Sequence, residues 1–160
     1  MGGREGSPGA APDQLIEVTL REITAETVRE AVDLELLPGQ ERFVAPNAVS
    51  ISEAHFEPRA WFRAVCAGED MVGFVMLLDD PERPMYYLWR MMIAGPHQRL
   101  GYGRKALDLV VEYVRSRPGA SELLVAYVPE EEGPQHFYEQ YGFEPTGEVH
   151  HGEVVMRLVL

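Results

Sequence analysis

Two glycines and a group of cations stand together in the middle of the chain, where a predicted strand meets a predicted helix. Gly101 and Gly103 have no Cβ atom that would keep a ligand away from the main chain. The first N–H groups of a helix have no partner inside it and carry the positive end of its dipole, so they attract anions. Arg99, Arg104 and Lys105 add positive charge at the same place. These residues predict a binding site for a diphosphate group.

The spacing of the glycines can be compared with the two common loops that bind diphosphate groups, the Rossmann loop and the P-loop. A Rossmann dinucleotide loop has the order GxGxxG, followed about twenty positions later by an acidic residue at the end of a second strand. Here Ala106 stands at the third glycine position, and only one strand–loop–helix unit follows. The GxxxxGK[ST] pattern of a P-loop is absent. A glycine-rich helix entry that binds no ligand is the structural alternative.

The segment from Gln98 to Gly103 resembles the acyl-CoA loop of the GNAT superfamily of N-acetyltransferases, whose pattern is [RQ]xxGx[GA]. In that family the loop amides bind the pyrophosphate of coenzyme A, and amides of the preceding strand hold the pantetheine arm. The resemblance therefore implies acetyl-CoA as the co-substrate. The residues implied to bind it are Met91, Met92, Ile93, Gln98, Arg99, Leu100, Gly101, Tyr102, Gly103 and Arg104.

A second motif, Phe137-Tyr138-Glu139-Gln140-Tyr141-Gly142-Phe143, is similar to the FYxxxGF signature of the same family. The family tyrosine protonates the departing thiolate of coenzyme A, which implies that catalytic role for Tyr138. A phenol has an ordinary pKa of about 10 and can therefore act as a general acid at neutral pH. A core tyrosine on a short helix is the structural alternative. Where the family often has an Asn that contacts the pantetheine arm, this chain has Glu131, so the resemblance implies a contact from Glu131 or from the backbone there.

Two further segments, residues 40–47 with Ser50 and residues 89–93, look like the spermine/spermidine (polyamine) acetyltransferase branch of the family. Residues 22–57 agree with a cationic acceptor, because they contain eight acidic and two basic residues. Most of these carboxylates are expected on solvated helix faces and a minority at an amine-binding mouth. The implied reaction is direct attack of a neutral amine on the thioester. Glu35, Glu41 and the other carboxylates near the mouth are candidates for the base, and the sequence does not choose among them.

Other functions stay open on the sequence alone. The acceptor amine could belong to a protein N-terminus, a lysine, an amino acid or an antibiotic. The chain could also be a non-catalytic module that binds acyl-CoA. The presence of both the glycine loop and Tyr138 favours an enzyme.

Hydrophobic periodicity and turn residues predict the elements that position these groups. Together with the resemblance, they imply an α+β fold in three layers. Its mixed, mostly antiparallel sheet splays at the acyl-CoA site and is flanked by about four helices. Residues 14–160 are expected to form one GNAT domain, and the Gly- and Pro-rich residues 1–13 are expected to form a disordered tail. The predicted strands are 15–21, 61–67, 71–78, 86–93, 123–128, 144–149 and 154–160, and the predicted helices follow Thr24, Ser50, the glycine loop and Pro134.

Three local expectations follow from these elements. The apolar strand 86–93 is expected to be buried on both faces. The segment 40–47 is expected to form a polar loop at the surface. The strand 154–160 is expected at an edge of the sheet, where its apolar residues make a homodimer plausible.

Composition excludes several classes of function. The formal net charge of −12 argues against nonspecific binding to nucleic acid, which needs a basic surface. No apolar run reaches the roughly 20 residues that a membrane-spanning helix needs. The single cysteine, Cys66, and the lack of a signal sequence predict a cytoplasmic protein. HExxH and paired cysteines are absent, and His150 and His151 are adjacent, so no metal site is expected.

Overall fold

The computed structural model describes residues 16–160 of the chain as seven strands and four helices. The expected tail over 1–13 and the predicted start of the first strand lie outside the described residues. The sheet is open, and its spatial order is β1-β2-β3-β4-β5-β7-β6. The strands are β1 Val18–Arg21, β2 Ala60–Ala67, β3 Asp70–Asp80, β4 Met85–Ile93, β5 Glu122–Tyr127, β6 Glu144–His150 and β7 Glu153–Val159.

One pair of neighbouring strands, β4 and β5, runs parallel, and the other described pairs are antiparallel. This confirms the predicted mixed, mostly antiparallel sheet. The parallel pair arises because a helix connects its two strands, whereas short turns connect the hairpins. The helices are α1 Val28–Asp33, α2 Asn47–Phe56, α3 Tyr102–Arg115 and α4 Gln135–Tyr141.

Apolar side chains fill both sides of the sheet. On one side, Leu107 and Val110 of α3 pack with Leu77, Leu88 and Leu123 of the strands, and all five are buried. On the other side, buried Phe74, Met76 and Met92 pack against apolar residues of α2 and of the segment around α1. The three layers predicted for the fold are therefore confirmed. Among residues 16–160, no helix combines the length and apolar character needed to cross a bilayer.

The starts of the first two helices differ from their predicted caps. Thr24 begins a turn in which its carbonyl accepts the N–H groups of Thr27 and Val28, and α1 starts at Val28. α2 starts at Asn47, because the carbonyl of Pro46 accepts the N–H groups of Val49 and Ser50. The helix start predicted after Ser50 is therefore wrong, since Ser50 lies inside the helix.

Strand β4 is not buried on both faces as predicted. Tyr86, Leu88 and Met92 are buried, whereas residues between them are partly exposed. The exposed positions border a groove that the sequence pattern does not reveal, because a groove wall and a core face are both apolar.

The last strand is not an edge strand. β7 lies between β5 and β6, with Val125 opposite Met156 and Val149 opposite Val154. β6 forms the edge instead, and most of its residues are exposed. Chain order and sheet order differ here because the closing hairpin folds its second strand onto β5. The homodimer was predicted because β7 was expected at an apolar edge. Since β7 lies inside the sheet, the homodimer stays a prediction without that support.

Candidate active site

Strands β4 and β5 part in the middle of the sheet. Their pairing is limited to Tyr87 opposite Leu124 and Leu88 opposite Val125. Immediately beyond these pairs, Trp89 is an extra residue in β4, since Leu88 pairs with Leu77 and Arg90 pairs with Met76. A bulge of this kind bends its strand. The edge of β4 that faces β5 therefore lacks a strand partner from Trp89 to Ile93.

The gap opens into a groove of about 950 Å³. The groove is bordered by β4 and β5, by the glycine loop, by α4 and by the α1–α2 loop, which comprises residues 34–46. Nine of the predicted site residues line it. They are Met91, Met92, Ile93, Gln98, Arg99, Gly101, Gly103, Arg104 and Tyr138.

Three predicted coenzyme contacts lie apart from the groove wall. Tyr102 is the first residue of α3, is buried in the core and does not line the groove. Leu100 and Glu131 are exposed and are not among the lining residues. The neighbours of Glu131 on the same loop, Glu132 and Gly133, do line the groove.

The backbone from Arg99 to Arg104 forms what we call the diphosphate cradle. Gly101 has φ +84° and precedes α3, and Arg99 has φ +62°. Left-handed residues beside a helix start turn successive N–H groups toward one point, which makes an anion-binding concavity. The first intrahelical bond is Lys105 N–H to Gly101 C=O, so the N–H groups before it have no helical acceptor. A non-glycine residue at positive φ is also typical of functional sites.

Gly103 leaves space in the cradle that a side chain would fill. A Cβ atom there would lie 3.6 Å from the Phe137 ring and 3.7 Å from Ile93, which are ordinary contact distances. Protein packing alone therefore does not demand glycine at this position. Gly103 lines the groove, and without a Cβ atom its main chain is accessible to an anion there.

The arginines of the groove fall into two groups. Arg42 and Arg90 pair with Glu130 and Glu53, at 2.5 Å and 3.3 Å. Arg99 and Arg104 have no carboxylate partner within the described residues, and both are exposed beside the cradle. Unpaired positive charge is thus concentrated at the cradle end.

Gln98 contributes to the site differently from its neighbours. Its Nε2 atom donates to the Ile93 carbonyl at 2.9 Å and to Gln40 Oε1 at 2.8 Å. An amide nitrogen has two hydrogens, so both are used within the protein. The side chain of Gln98 therefore offers no further N–H donor to a phosphate group.

Tyr138 is held at the groove by the short helix α4. Pro134 precedes the helix, and Gly142, with φ +123°, ends it. The Tyr138 ring is 7% exposed and packs edge-on against Phe137 and Phe143. Burial raises the pKa of the phenol well above its ordinary value, with a smaller contribution from Tyr87. The group therefore stays protonated at neutral pH, as a proton donor requires.

Sequence reasoning missed two groove residues, Tyr87 and Glu153. Burial and the Glu153 carboxylate raise the pKa of the Tyr87 phenol, and Arg90 opposes this shift. Glu41 and Glu132 also line the groove, and the Glu41 carboxylate accepts the Gly39 N–H at 2.8 Å. Glu153 was not detectable from local pattern, because it reaches the site only through the pairing of β7 with β5.

Most of the acidic residues between Glu22 and Glu57 lie away from the groove, as expected. Glu41 is the member of this segment that lines it, and Glu53 reaches it indirectly through Arg90. Glu35, the other candidate base, is exposed and does not line the groove. The segment 40–45 lines the groove, so the loop predicted at the surface also forms part of the groove wall.

A sheet that parts beside a diphosphate cradle, with a protonated phenol at the gap, is the arrangement of an acetyltransferase that uses coenzyme A. Comparison with known protein families agrees with this assignment and identifies the family. Residues 26–143 match the Acetyltransferase (GNAT) family, and the chain belongs to it. No curated protein sequence matches the chain significantly.

Solved structures share the fold at low sequence identity. A domain from Methanocaldococcus jannaschii has a TM-score of 0.74 at 15% identity, covering 91% of this chain and 99% of the other. A Bacillus subtilis acetyltransferase in complex with CoA has a TM-score of 0.67 at 18% identity, and the match covers 91% of this chain and 99% of the other. A spermidine N-acetyltransferase chimera from Vibrio cholerae and hSSAT has a TM-score of 0.67 at 17% identity, and the match covers 89% of this chain and 94% of the other.

Proposed function

We propose that this enzyme transfers the acetyl group of acetyl-CoA to a primary amine of a small cationic acceptor, such as spermidine or spermine. The observation that carries this proposal is the distribution of charge in the groove. Glu41, Glu132 and Glu153 supply carboxylates, while Arg42 and Arg90 are neutralised by partners outside it. The similarity to the spermidine acetyltransferase chimera supports the same acceptor class.

The residues present fit acetyl-CoA. The diphosphate would lie on the N–H groups of the cradle, where Arg99 and Arg104 add positive charge. The pantetheine arm would occupy the gap between β4 and β5, where the main chain of β4 has no strand partner. An N–H group of that edge would polarise the thioester carbonyl as an oxyanion donor does.

The chemical step joins the amine nitrogen to the acetyl carbon and breaks the carbon–sulfur bond. The nitrogen must be neutral to attack, so one ammonium proton first leaves to a groove carboxylate, directly or through water. After the attack the nitrogen loses a second proton to solvent, which leaves a neutral amide. Tyr138 donates its proton to the departing sulfur, and the resulting phenolate is reprotonated from solvent. The three groove carboxylates attract the cationic substrate and are the candidates for the base.

The test measures thiol release from acetyl-CoA with a panel of amines. The panel contains spermidine, spermine, free amino acids, an aminoglycoside, a lysine peptide and a peptide with a free N-terminal alanine. We expect the highest kcat/KM with a polyamine. A peptide or amino acid as the best substrate would overturn the acceptor assignment and leave acetyl transfer intact. Coenzyme A binding without release on any amine would favour the non-catalytic module.

A further inference from the structure

The α1–α2 loop is joined to the end of β4 along a short seam between residues 35–40 and residues 93–98. At this seam the Gly95 N–H donates to the Glu35 carbonyl at 2.8 Å. A Cβ atom at Gly95 would come within 2.9 Å of the Leu37 side chain and 3.2 Å of its nitrogen. The two segments therefore approach more closely than a side chain at position 95 allows.

Two glutamine side chains form hydrogen bonds across the same seam. Gln98 Nε2 donates to Gln40 Oε1 at 2.8 Å, and Gln40 Nε2 donates to Gln98 Oε1 at 3.1 Å. We call these two residues the glutamine pair. Both side chains are partly buried, and 58 residues of sequence separate them.

Main-chain groups fix the orientation of both amides. The Leu37 N–H donates to Gln40 Oε1 at 3.1 Å, so an oxygen must stand there. The Ile93 carbonyl accepts from Gln98 Nε2 at 2.9 Å, so a nitrogen must stand there. Reversing either amide would place two donors or two acceptors opposite each other. The pair therefore has one satisfied arrangement.

The glutamine pair lies between two functional parts of the groove. Gln98 is followed directly by Arg99, the first residue of the cradle. Gln40 is followed by Glu41 and Phe43 of the groove wall, and its carbonyl accepts the Phe43 N–H at 3.0 Å. Each glutamine thus sets the start of one lining segment.

We propose that Gln40 is a positioning residue that couples the α1–α2 loop to the diphosphate cradle through Gln98. With the pair intact, both segments hold their groove conformations together. Breaking the pair lowers the population of the competent cradle, which weakens coenzyme A binding in proportion to that loss. This inference rests on the acetyl-CoA part of the proposed function and not on the identity of the acceptor.

The test is a double-mutant cycle read by calorimetry with coenzyme A alone. Gln40→Met and Gln98→Met each remove the pair while keeping side-chain length. We expect Gln40→Met to weaken coenzyme A binding about three- to tenfold, the effect of one or two net hydrogen bonds. Gln98→Met should weaken it more, because it also loses the Ile93 bond, and the double variant should equal Gln98→Met.

A second variant and a control distinguish loss of the glutamine pair from loss of folding. Gln40→Asn keeps the amide but is too short to reach Gln98, and should reproduce Gln40→Met. Gln135→Met removes an exposed glutamine bonded to Glu139, outside the groove, and should bind coenzyme A normally. Equal thermal midpoints among the variants would show that each is folded.

Amide exchange of Leu37 supplies a readout that local packing alone would not change. This N–H does not line the groove but reports the position of Gln40. Coenzyme A should slow its exchange in the wild-type enzyme and leave it unchanged in Gln98→Met. Wild-type affinity in Gln40→Met, or independent effects of the two substitutions, would overturn the coupling. Activity with a non-polyamine acceptor would overturn only the acceptor assignment.

Discussion

Arg42 Nε lies 2.5 Å from the Glu130 carboxylate, and this ion pair joins the two loops that border the groove. Arg42 belongs to the α1–α2 loop, and Glu130 to the segment between β5 and α4. Phe43 reaches the same segment, since its ring lies 3.6 Å from the position of a Cβ atom on Gly133. The pair therefore links the two loops and offsets the positive charge that Arg42 brings to the groove.

Removing opposite halves of this ion pair should affect a cationic acceptor in opposite directions. Glu130→Gln leaves Arg42 unpaired in the groove, so we expect the acceptor KM to rise about three- to tenfold. Arg42→Gln removes that repulsion and should leave the acceptor KM unchanged or lower. Steady-state kinetics at low and high salt measure both effects, which should shrink at high salt. Equal increases in both variants would show that closure, not charge, is what the pair supplies.

An aspartate at position 103 should separate helix stability from coenzyme binding. In Gly103→Asp the new carboxylate stands at the start of α3, where it interacts favourably with the helix dipole and adds about 0.3–1 kcal/mol of stability. The same carboxylate fills and repels the diphosphate position. Calorimetry should therefore show at least a tenfold loss of coenzyme A affinity without a lower melting temperature. Ser121→Asp adds the same charge just before β5 and should bind normally.

The local parts of this site were predictable from the sequence, because they depend on neighbouring residues. Gly101 and Gly103 precede an amphipathic helix, so their spacing indicates a ligand loop, and the resemblance to the family singles out Tyr138 in its motif of seven residues. Strand and helix order followed from hydrophobic periodicity for the same reason. The resemblance to the family supplied the chemistry that periodicity does not contain.

The parts that depend on distant pairing were not predictable. Glu153 faces the groove only because β7 pairs with β5, and the sequence does not state that sheet order. The partner of Gln98 is Gln40, on a loop that local pattern assigns to solvent. The start of α2 depends on Pro46, because its carbonyl accepts the N–H groups of Val49 and Ser50 and so places Ser50 inside the helix.

A second polar network, remote from the groove, should control stability at high pH. The Tyr113 phenol donates to Asp79 Oδ2 at 2.5 Å, Arg117 donates to Oδ1 at 3.0 Å, and Trp61 stacks on Tyr113 at 4.2 Å. Burial, together with the Asp79 carboxylate, raises the pKa of Tyr113 to about 12. Since the folded pKa exceeds the unfolded value of about 10, this contribution to stability is full below pH 10 and is lost between pH 10 and 12.

Tyr113→Phe should lower the free energy of unfolding by about 1–2 kcal/mol at pH 7, because the Asp79 carboxylate loses one of its two donors. Denaturant unfolding measured from pH 7 to 12 should then show a smaller decline above pH 10 than in the wild-type enzyme. Since Tyr113 lies outside the groove, kcat/KM should be unchanged at pH 7. An equal decline in both proteins would assign the alkaline loss of stability to other groups.

Tyr138→Phe should lower kcat about a hundredfold while leaving coenzyme A affinity within twofold, because the ring packing persists and only the proton donor is lost. Burial raises the pKa of this phenol, so its protonated form should persist as the pH rises through 10. The kcat of the wild-type enzyme should accordingly show no descending limb between pH 7 and 10. Tyr113→Phe is the matched control for losing a phenol elsewhere. A full kcat in Tyr138→Phe would move the proton transfer to another group, with Tyr87 the next candidate in the groove.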